Sequence, residues 1–294
     1  MSPDQIVATV ITLMSTTENP AFETLKAGGY YDTGYPVAIE ACPRPLGPLE
    51  VEGQTVICGR VTVPEDHDAH DGATIPLAFA VLKSRSTAPA PDPVIYLHGG
   101  PGGYTVQTIP TNAALFDFLR DRRDIVLFDQ RGSGISDQTI ACYNEFSEDF
   151  MQFAQADEET MFDADQPLAK CLSETVATGV DLSLYNTTQS ARDVRAIMDA
   201  LGYPDYNAFG ISYGTKLGQE LLRSASEGLR SLVIDSISRV DNPAYDTNGV
   251  PVDQALGWVV DYCMANEACA AAYPNLEETI HAAGARLAQE PKLK

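Results

Sequence analysis

Short apolar runs alternate with polar or helix-like stretches through the middle of the chain. Two early runs, residues 54–63 and 74–83, are separated by a polar turn and predict a pair of antiparallel strands. Beyond residue 90 the runs are uninterrupted, and they are VIYL before HGG, IVLF before DQRG, YNAFG and SLVIDSI. Uninterrupted apolar strands that alternate with helices are typical of a parallel sheet covered on both faces. The pattern therefore predicts an α/β fold, mostly parallel, with antiparallel strands at the start.

Helical periodicity appears in three places. It predicts one helix from about 190 to 201 and another from about 215 to 224. After a loop with the sequence DNPAYDTNGVP, residues 252–289 indicate helices that carry Leu276, Ile280 and Leu287 on one stripe. We therefore divide the chain into an extension (1–34), an α/β core (35–240) and a helical segment (241–294).

The charge is strongly acidic. Forty-one Asp and Glu against 19 Lys and Arg give a net charge of −22. This charge repels phosphate backbones and anionic lipids, which argues against nucleic-acid and membrane-surface partners. Much of the acid lies in residues 145–165, for which we expect a solvated helical insertion. A soluble acidic surface, salt adaptation and attraction of cationic ligands all remain open as its role.

The six cysteines form no CxxC motif and have no paired histidines nearby, so they give little support for a zinc site. We expect disulfides between chain neighbours, which is one of several connectivities; six buried thiols in a cytosolic protein are the alternative. The expected pairs are Cys42–Cys58, Cys142–Cys171 and Cys263–Cys269. Disulfides imply an oxidising compartment, periplasmic or secreted.

The amino-terminal residues contain an apolar run, Ile6 to Met14, that is too short to span a bilayer. No basic residue precedes it and no small-residue cleavage site is obvious. We expect a mature protein whose export signal has been replaced by Met1. An amphipathic amino-terminal helix is an alternative that is compatible with this.

The segment GISYGTK places Ser212 between two glycines, after a predicted strand and before a predicted helix. A Gly-x-Ser-x-Gly match is weak by itself, but this context is that of a nucleophile elbow. A serine that merely caps the following helix is the alternative, and it explains neither glycine.

A second glycine-rich motif, HGGPGG from His98 to Gly103, follows a buried strand. Glycines let backbone N–H groups approach a ligand and donate to a developing oxyanion. A plain glycine turn is the alternative. Both motifs lie at the carboxyl ends of predicted parallel strands, where open α/β sheets bind ligands, and this favours a site.

Taken in order, the segments YLHGGPGG, LFDQRGSGISD and FGISYGT resemble the α/β-hydrolase superfamily, and more closely its serine aminopeptidases of the prolyl and tripeptidyl aminopeptidase type. The resemblance runs from about Tyr35 to the end. It implies a serine hydrolase that forms an acyl-enzyme, with peptides or esters as substrates and with no metal or cofactor. Ser212 would be the nucleophile, with the Tyr213 N–H and that of Gly99 or Gly100 as oxyanion donors.

The resemblance also suggests roles for residues around this site. Asp129 and Arg131 would form a structural charge pair, and His98 would order the glycine loop. Residues 241–294 would begin a helical cap, in which certain carboxylates are candidates to bind a substrate ammonium group, with solvated helix surface as the alternative. These carboxylates are Glu267, Glu277 and Glu278.

In the resembling family the catalytic acid and histidine follow two further strands beyond the cap, and no residue here stands at a matching position. The four histidines are His67 and His70 in a turn that we expect to be solvated, His98, and His281 within a helix. Without a base the serine is a poor nucleophile, so residues 1–294 alone should be nearly inactive. We expect them to be part of a longer hydrolase, completed by a continuous or a second chain.

Three alternatives remain open at this point. The same machinery would serve a carboxylesterase. The chain would also suit a non-catalytic binding or assembly module completed by a partner. Finally, it is compatible with a naturally short relative that has lost catalysis.

Overall fold

The computed structural model describes residues 20–26, 33–69, 71–136, 142, 167–241 and 249–289, with residues 2, 5, 8, 9 and 12 near the amino terminus. The acidic stretch 145–165 and His70 therefore lie outside the described residues. The chain divides into two compact units. The first comprises residues 1–141 and 172–240, and the second comprises residues 142–171 and 241–294.

Seven strands form one sheet in the described part of the first unit, in the order β1-β2-β3-β5-β4-β6-β7. The strands β1, β2, β3 and β5 pair antiparallel, whereas β5, β4, β6 and β7 pair parallel. Their bounds are β1 Val37–Glu40, β2 Val56–Pro64, β3 Thr74–Leu82, β4 Val94–Leu97, β5 Ile125–Phe128, β6 Tyr206–Ile211 and β7 Leu229–Asp235. The predicted mixed α/β sheet is confirmed.

Strand β1 is the element of this sheet that the pattern did not predict. It has four residues, three of them exposed, and therefore carries almost no hydrophobic signal. Its place is set by pairing with β2, in which Ile39 lies opposite Gly59. A strand that is fixed by backbone pairing alone cannot be predicted from the pattern of apolar and polar residues.

The two helices predicted in the first unit, from about 190 and from about 215, are confirmed close to these positions. The helices that lie wholly in the first unit are α1 Pro20–Lys26, the single turns α2 Ile109–Asn112 and α3 Asp117–Arg120, then α5 Thr187–Ala200 and α6 Tyr213–Ser224. Helix α4 Pro167–Ala177 crosses the division between residues 171 and 172, and the second unit holds α7 Gly249–Met264, α8 Glu267–Ala272 and α9 Leu276–Gln289. Helix α5 begins three residues before the predicted start, because the Asn186 side chain accepts a 2.9 Å hydrogen bond from the Gln189 N–H and caps the helix.

Apolar side chains cover both faces of the sheet. On one face α1, α5 and α6 pack over the strands through buried residues such as Phe22, Ile197 and Leu217. On the other face the chain between β4 and β5 packs through Val106 and Phe116. This two-sided burial keeps the carboxyl ends of β4 and β6 rigid, and both site motifs begin there.

Strand β7 is the outer strand of the sheet in the described residues. Val233 on this strand is 56% exposed, and Ile237 just after it is 62% exposed. Val233 also lines an open cavity of about 370 Å³ together with Phe118 and Phe209. An apolar outer strand of this kind is a template for pairing with a further strand.

The predicted disulfide pairs are confirmed: Cys42–Cys58, Cys142–Cys171 and Cys263–Cys269. The helices predicted after residue 252 are also confirmed, but Leu287 is half-exposed and does not join a buried stripe. None of the helices in the described ranges has the length and apolar character that crossing a membrane requires.

Candidate active site

Ser212 is the single residue between strand β6 and helix α6, and it has a backbone conformation that non-glycine residues rarely adopt. Its φ is 54° and its ψ is −122°, and the residue is exposed. A non-glycine residue at positive φ is strained by about 1–3 kcal/mol and persists only where its surroundings enforce it. The structure thus has the sharp strand-to-helix turn of a nucleophile elbow.

Tight packing explains the glycine at position 214. A Cβ there would collide with the carbonyl oxygen of Leu97 at the end of β4. The Ser212 side chain makes no capping hydrogen bond to α6, although the residue occupies the N-cap position. Capping therefore does not account for this serine.

The glycine loop after β4 runs beside Ser212. A Cβ built on Gly99 would lie 3.0 Å from the Ser212 Cβ and 3.5 Å from its Oγ. Gly100 has a φ of +119°, a backbone conformation that favours glycine, and it precedes a cis peptide bond to Pro101. The structure brings together the two motifs that the sequence singled out.

His98 is half-buried at the base of this loop. Its Nδ1 lies 3.1 Å from the Tyr96 hydroxyl, and its carbonyl accepts a 3.1 Å hydrogen bond from Gln130. A Cβ on Gly103 would strike the imidazole ring, so the ring packs directly against the loop. Burial lowers the pKa of His98 below its ordinary 6.5, and the nearby Asp129 carboxylate only partly opposes this. His98 therefore packs against the glycine loop, and its burial there disfavours protonation of the ring.

The charge pair that we predicted between Asp129 and Arg131 is wrong. Asp129 is fully buried and accepts hydrogen bonds from backbone N–H groups, which are those of Thr105, Val106 and Ile135 at 2.6, 3.0 and 3.0 Å. These three bonds satisfy the carboxylate without a cation. Asp129 thereby ties the start of the segment after the glycine loop to the loop after β5.

Arg131 instead binds Asp193 on helix α5. Its Nε and Nη2 lie 2.8 and 2.7 Å from the two carboxylate oxygens, and its Nη1 donates to the carbonyls of Glu65 and Leu184. The His67 Nε2 lies 2.8 Å from the same carboxylate, with a nearly buried side chain, so our expectation that His67 lies in a solvated turn is also wrong. Asp193 could have been suspected from the sequence, because a carboxylate on the apolar face of a helix needs a buried partner.

Tyr213 begins helix α6, and the residue is partly buried. Its hydroxyl lies 2.9 Å from the Thr187 Oγ1 at the start of α5. Burial raises the pKa of this phenol, with the Thr187 hydrogen bond acting in the opposite direction. Tyr213 thus joins the amino-terminal ends of α5 and α6.

The predicted cap carboxylates lie in the second unit, and all three are exposed. Glu267 opens α8, and Glu277 and Glu278 lie in the first turn of α9. Carboxylates are favourable at these positions because of the helix dipole. Glu277 also lines a cavity of about 110 Å³ with Leu256, Ile280 and His281.

Named peptidases are similar to this chain in sequence. The chain is 31% identical over 199 residues to a tripeptidyl aminopeptidase of Streptomyces coelicolor, which covers 64% of this chain and 36% of that one. It is 25% identical over 241 residues to the serine protease Hip1 of Mycobacterium tuberculosis, covering 76% and 42%. The chain thus spans less than half the length of these relatives.

A solved proline iminopeptidase from Mycobacterium smegmatis is 23% identical, with a TM-score of 0.35, over 59% of this chain and 42% of that one. The family model described as alpha/beta hydrolase fold matches residues 92–262. That match includes the glycine loop, the serine elbow and strands β4 to β7. The chain belongs to the α/β-hydrolase fold family, and named peptidases are among its relatives.

Proposed function

We propose that the protein is a serine hydrolase whose nucleophile is Ser212, and that it releases residues from the amino ends of peptides. The observation that carries this proposal is the exposed, strained Ser212 with the Gly99 backbone against it. A structure that needed the serine only for packing would gain nothing from this conformation.

The chemistry proceeds in two steps. The Ser212 Oγ attacks the substrate carbonyl carbon while a base takes its proton; the C–N bond then breaks and the amine leaves with that proton. Water attacks the resulting ester, releases the acid and restores the hydroxyl. The N–H groups of Tyr213 and of Gly99 or Gly100 stabilise the negative oxygen in both steps.

The base and the acid that orients it are proposed to lie outside residues 1–294, either in the same polypeptide or in a second chain. His98 and His67 lie in the same unit as Ser212, and each is already engaged, by Tyr96 and by Asp193 respectively. Strand β7 is the outer strand of the described sheet, and its outer backbone edge offers a place for further strands to pair. Residues 1–294 alone would retain only the effect of oxyanion stabilisation and binding, about 10³–10⁴ over water.

The peptide preference is supported by the names of the relatives, a tripeptidyl aminopeptidase and a serine protease. A substrate with a free ammonium group would suit the acidic cap, in which Glu267, Glu277 and Glu278 are exposed. The three disulfides support a periplasmic or secreted location.

Two substrate classes distinguish this proposal from a carboxylesterase. The full-length protein should cleave aminoacyl and tripeptidyl arylamides but not their N-acetylated counterparts, and Ser212→Ala should abolish the cleavage. Turnover of short acyl esters without turnover of any amide would reject the peptidase assignment and retain the hydrolase. If Ser212→Ala retained both amide and ester turnover, Ser212 would be rejected as the nucleophile.

A further inference from the structure

The chain that leaves strand β7 is fastened to the first two turns of helix α6. We call residues 236–240 the exit loop. The Ser238 N–H donates a 2.7 Å hydrogen bond to the Thr215 Oγ1, and the Ser238 carbonyl accepts one of 2.9 Å from the Gln219 Nε2. Both backbone polar groups of Ser238 are therefore held by side chains of the helix that carries the nucleophile.

Thr215 is fully buried, and its hydroxyl works in both directions. It accepts from Ser238 and donates a 2.6 Å hydrogen bond to the carbonyl of Ser212. The hydroxyl has a single proton, and the Ser212 carbonyl is the nearer of its two acceptors, since the Ser238 carbonyl lies 3.4 Å away. Thr215 is thus a direct link between the exit loop and the backbone of the nucleophile.

The exit loop begins with a residue at positive φ, as the turn at Ser212 does. Ser236 has a φ of 60°, and apart from Ser212 it is the one non-glycine residue at positive φ in the described chain. The two turns follow neighbouring parallel strands, and the Ser212 N–H donates a 3.1 Å hydrogen bond to the Asp235 carbonyl. A closed ring of contacts therefore runs from Ser212 through Asp235, the exit loop and Thr215 back to Ser212.

We propose that Thr215 is a positioning residue for the reaction of Ser212. Strained conformations persist only when their surroundings over-determine them, and Thr215 holds the two strained turns against each other. Its hydroxyl keeps the Ser212 backbone in the orientation in which the side chain stands beside Gly99. This inference rests on the proposed function of Ser212, but it concerns a residue that makes no contact with a substrate. A merely structural hydroxyl would affect stability and leave the reactivity of the folded protein unchanged.

The test compares Thr215→Val with Thr215→Ser in the full-length protein. The measured quantity is the second-order rate of Ser212 labelling by a fluorophosphonate, normalised to the folded fraction. Thr215→Val removes the partner of the Ser238 N–H and leaves the Ser212 carbonyl with the Thr215 N–H at 2.9 Å as its remaining donor, so labelling should slow by about 10- to 100-fold. With arylamide substrates kcat should fall by a similar factor while KM changes little. Thr215→Ser retains the hydroxyl and should restore the rate to within a few-fold.

The matched control is Thr55→Val, far along the sequence from the site. The Thr55 hydroxyl is also buried, accepts a 2.8 Å hydrogen bond from the Val51 N–H and donates one of 2.8 Å to Glu50. This variant should lose a similar amount of thermal stability and label at the wild-type rate. Equal labelling rates in Thr55→Val and Thr215→Val would overturn the inference.

Two further measurements test the inference if Thr215→Val does not fold or if the proposed function fails. If Thr215→Val does not fold, Gln219→Met at a half-buried position should slow labelling by about threefold to tenfold, and a wild-type rate there would count against the inference. If the wild-type protein is not labelled at all, the proposed function fails. Amide hydrogen exchange at Ser212, Tyr213 and Ser238 then decides the positioning role alone: it should accelerate in Thr215→Val, and unchanged exchange would refute the role.

Discussion

Arg131 and Asp193 form a bidentate pair with N–O distances of 2.7 and 2.8 Å, and both side chains are buried. The pair joins the loop after β5 to helix α5, and His67 approaches the same carboxylate from the turn between β2 and β3. Three segments distant in sequence therefore meet at a single carboxylate.

Asp193→Ala should destabilise the protein by about 3–5 kcal/mol, because it leaves the buried guanidinium without its counter-charge. Denaturant unfolding monitored by circular dichroism measures this loss. The double variant Arg131→Met/Asp193→Leu removes both charges and should cost less than the single variant. A single variant that unfolds like the wild type would show that the pair does not hold these segments together.

Gly99→Ala should slow the labelling of Ser212 by about 10- to 100-fold, because the added methyl displaces a backbone that must lie within reach of the reacting atoms. The new Cβ would be 3.0 Å from the Ser212 Cβ and 3.1 Å from the Ile211 carbonyl oxygen. Gly99→Ala should lower the free energy of unfolding by about 1–3 kcal/mol, which is typical of overpacking.

Gly47→Ala is the matched control for this substitution. Its Cβ would meet only the Pro110 carbonyl oxygen, at an ordinary 3.5 Å. It should label at the wild-type rate. If Ser212 in Gly99→Ala were also labelled at the wild-type rate, the glycine loop would have no part in the site.

His98 should make the protein less stable as the pH falls below about 6.5. Its pKa is lowered in the folded state, so the unfolded chain binds the proton first, and protonation then favours unfolding. Thermal unfolding between pH 7.5 and 5 should show a larger decrease for the wild type than for His98→Gln. Parallel curves for the two proteins would mean that the imidazole is not buried as described.

The Cys42–Cys58 bridge closes a loop of 16 residues and should contribute about 3 kcal/mol, by restricting the unfolded chain. The double variant Cys42→Ser/Cys58→Ser should show this loss in chemical denaturation. Cys263→Ser/Cys269→Ser opens a loop of only six residues and should cost less. A reversed order would argue that strain or packing, rather than chain entropy, dominates.

The sequence predicted the elements whose signal is local. Uninterrupted apolar runs located β4 to β7, and glycine spacing located the serine elbow and the loop beside it, because each feature depends on residues adjacent in the chain. The disulfide pairs followed from proximity along the chain.

The parts that the sequence did not predict depend on distant partners. Arg131 was assigned to Asp129, two residues away, whereas its partner is Asp193, 62 residues along the chain. The Thr215 hydroxyl was likewise overlooked, since its partner Ser238 lies 23 residues away on another loop. Strand β1 shows the same principle for the backbone: pairing with β2 fixes it, and its own side chains give almost no signal.

The central claim, that Ser212 is an activated nucleophile, is tested most directly by mass spectrometry of the full-length protein after exposure to a fluorophosphonate. We expect a single adduct on the peptide that contains Ser212, no adduct in Ser212→Ala, and much slower labelling of residues 1–294 alone. An unmodified Ser212 in the active full-length protein, or an adduct on another serine, would contradict the account.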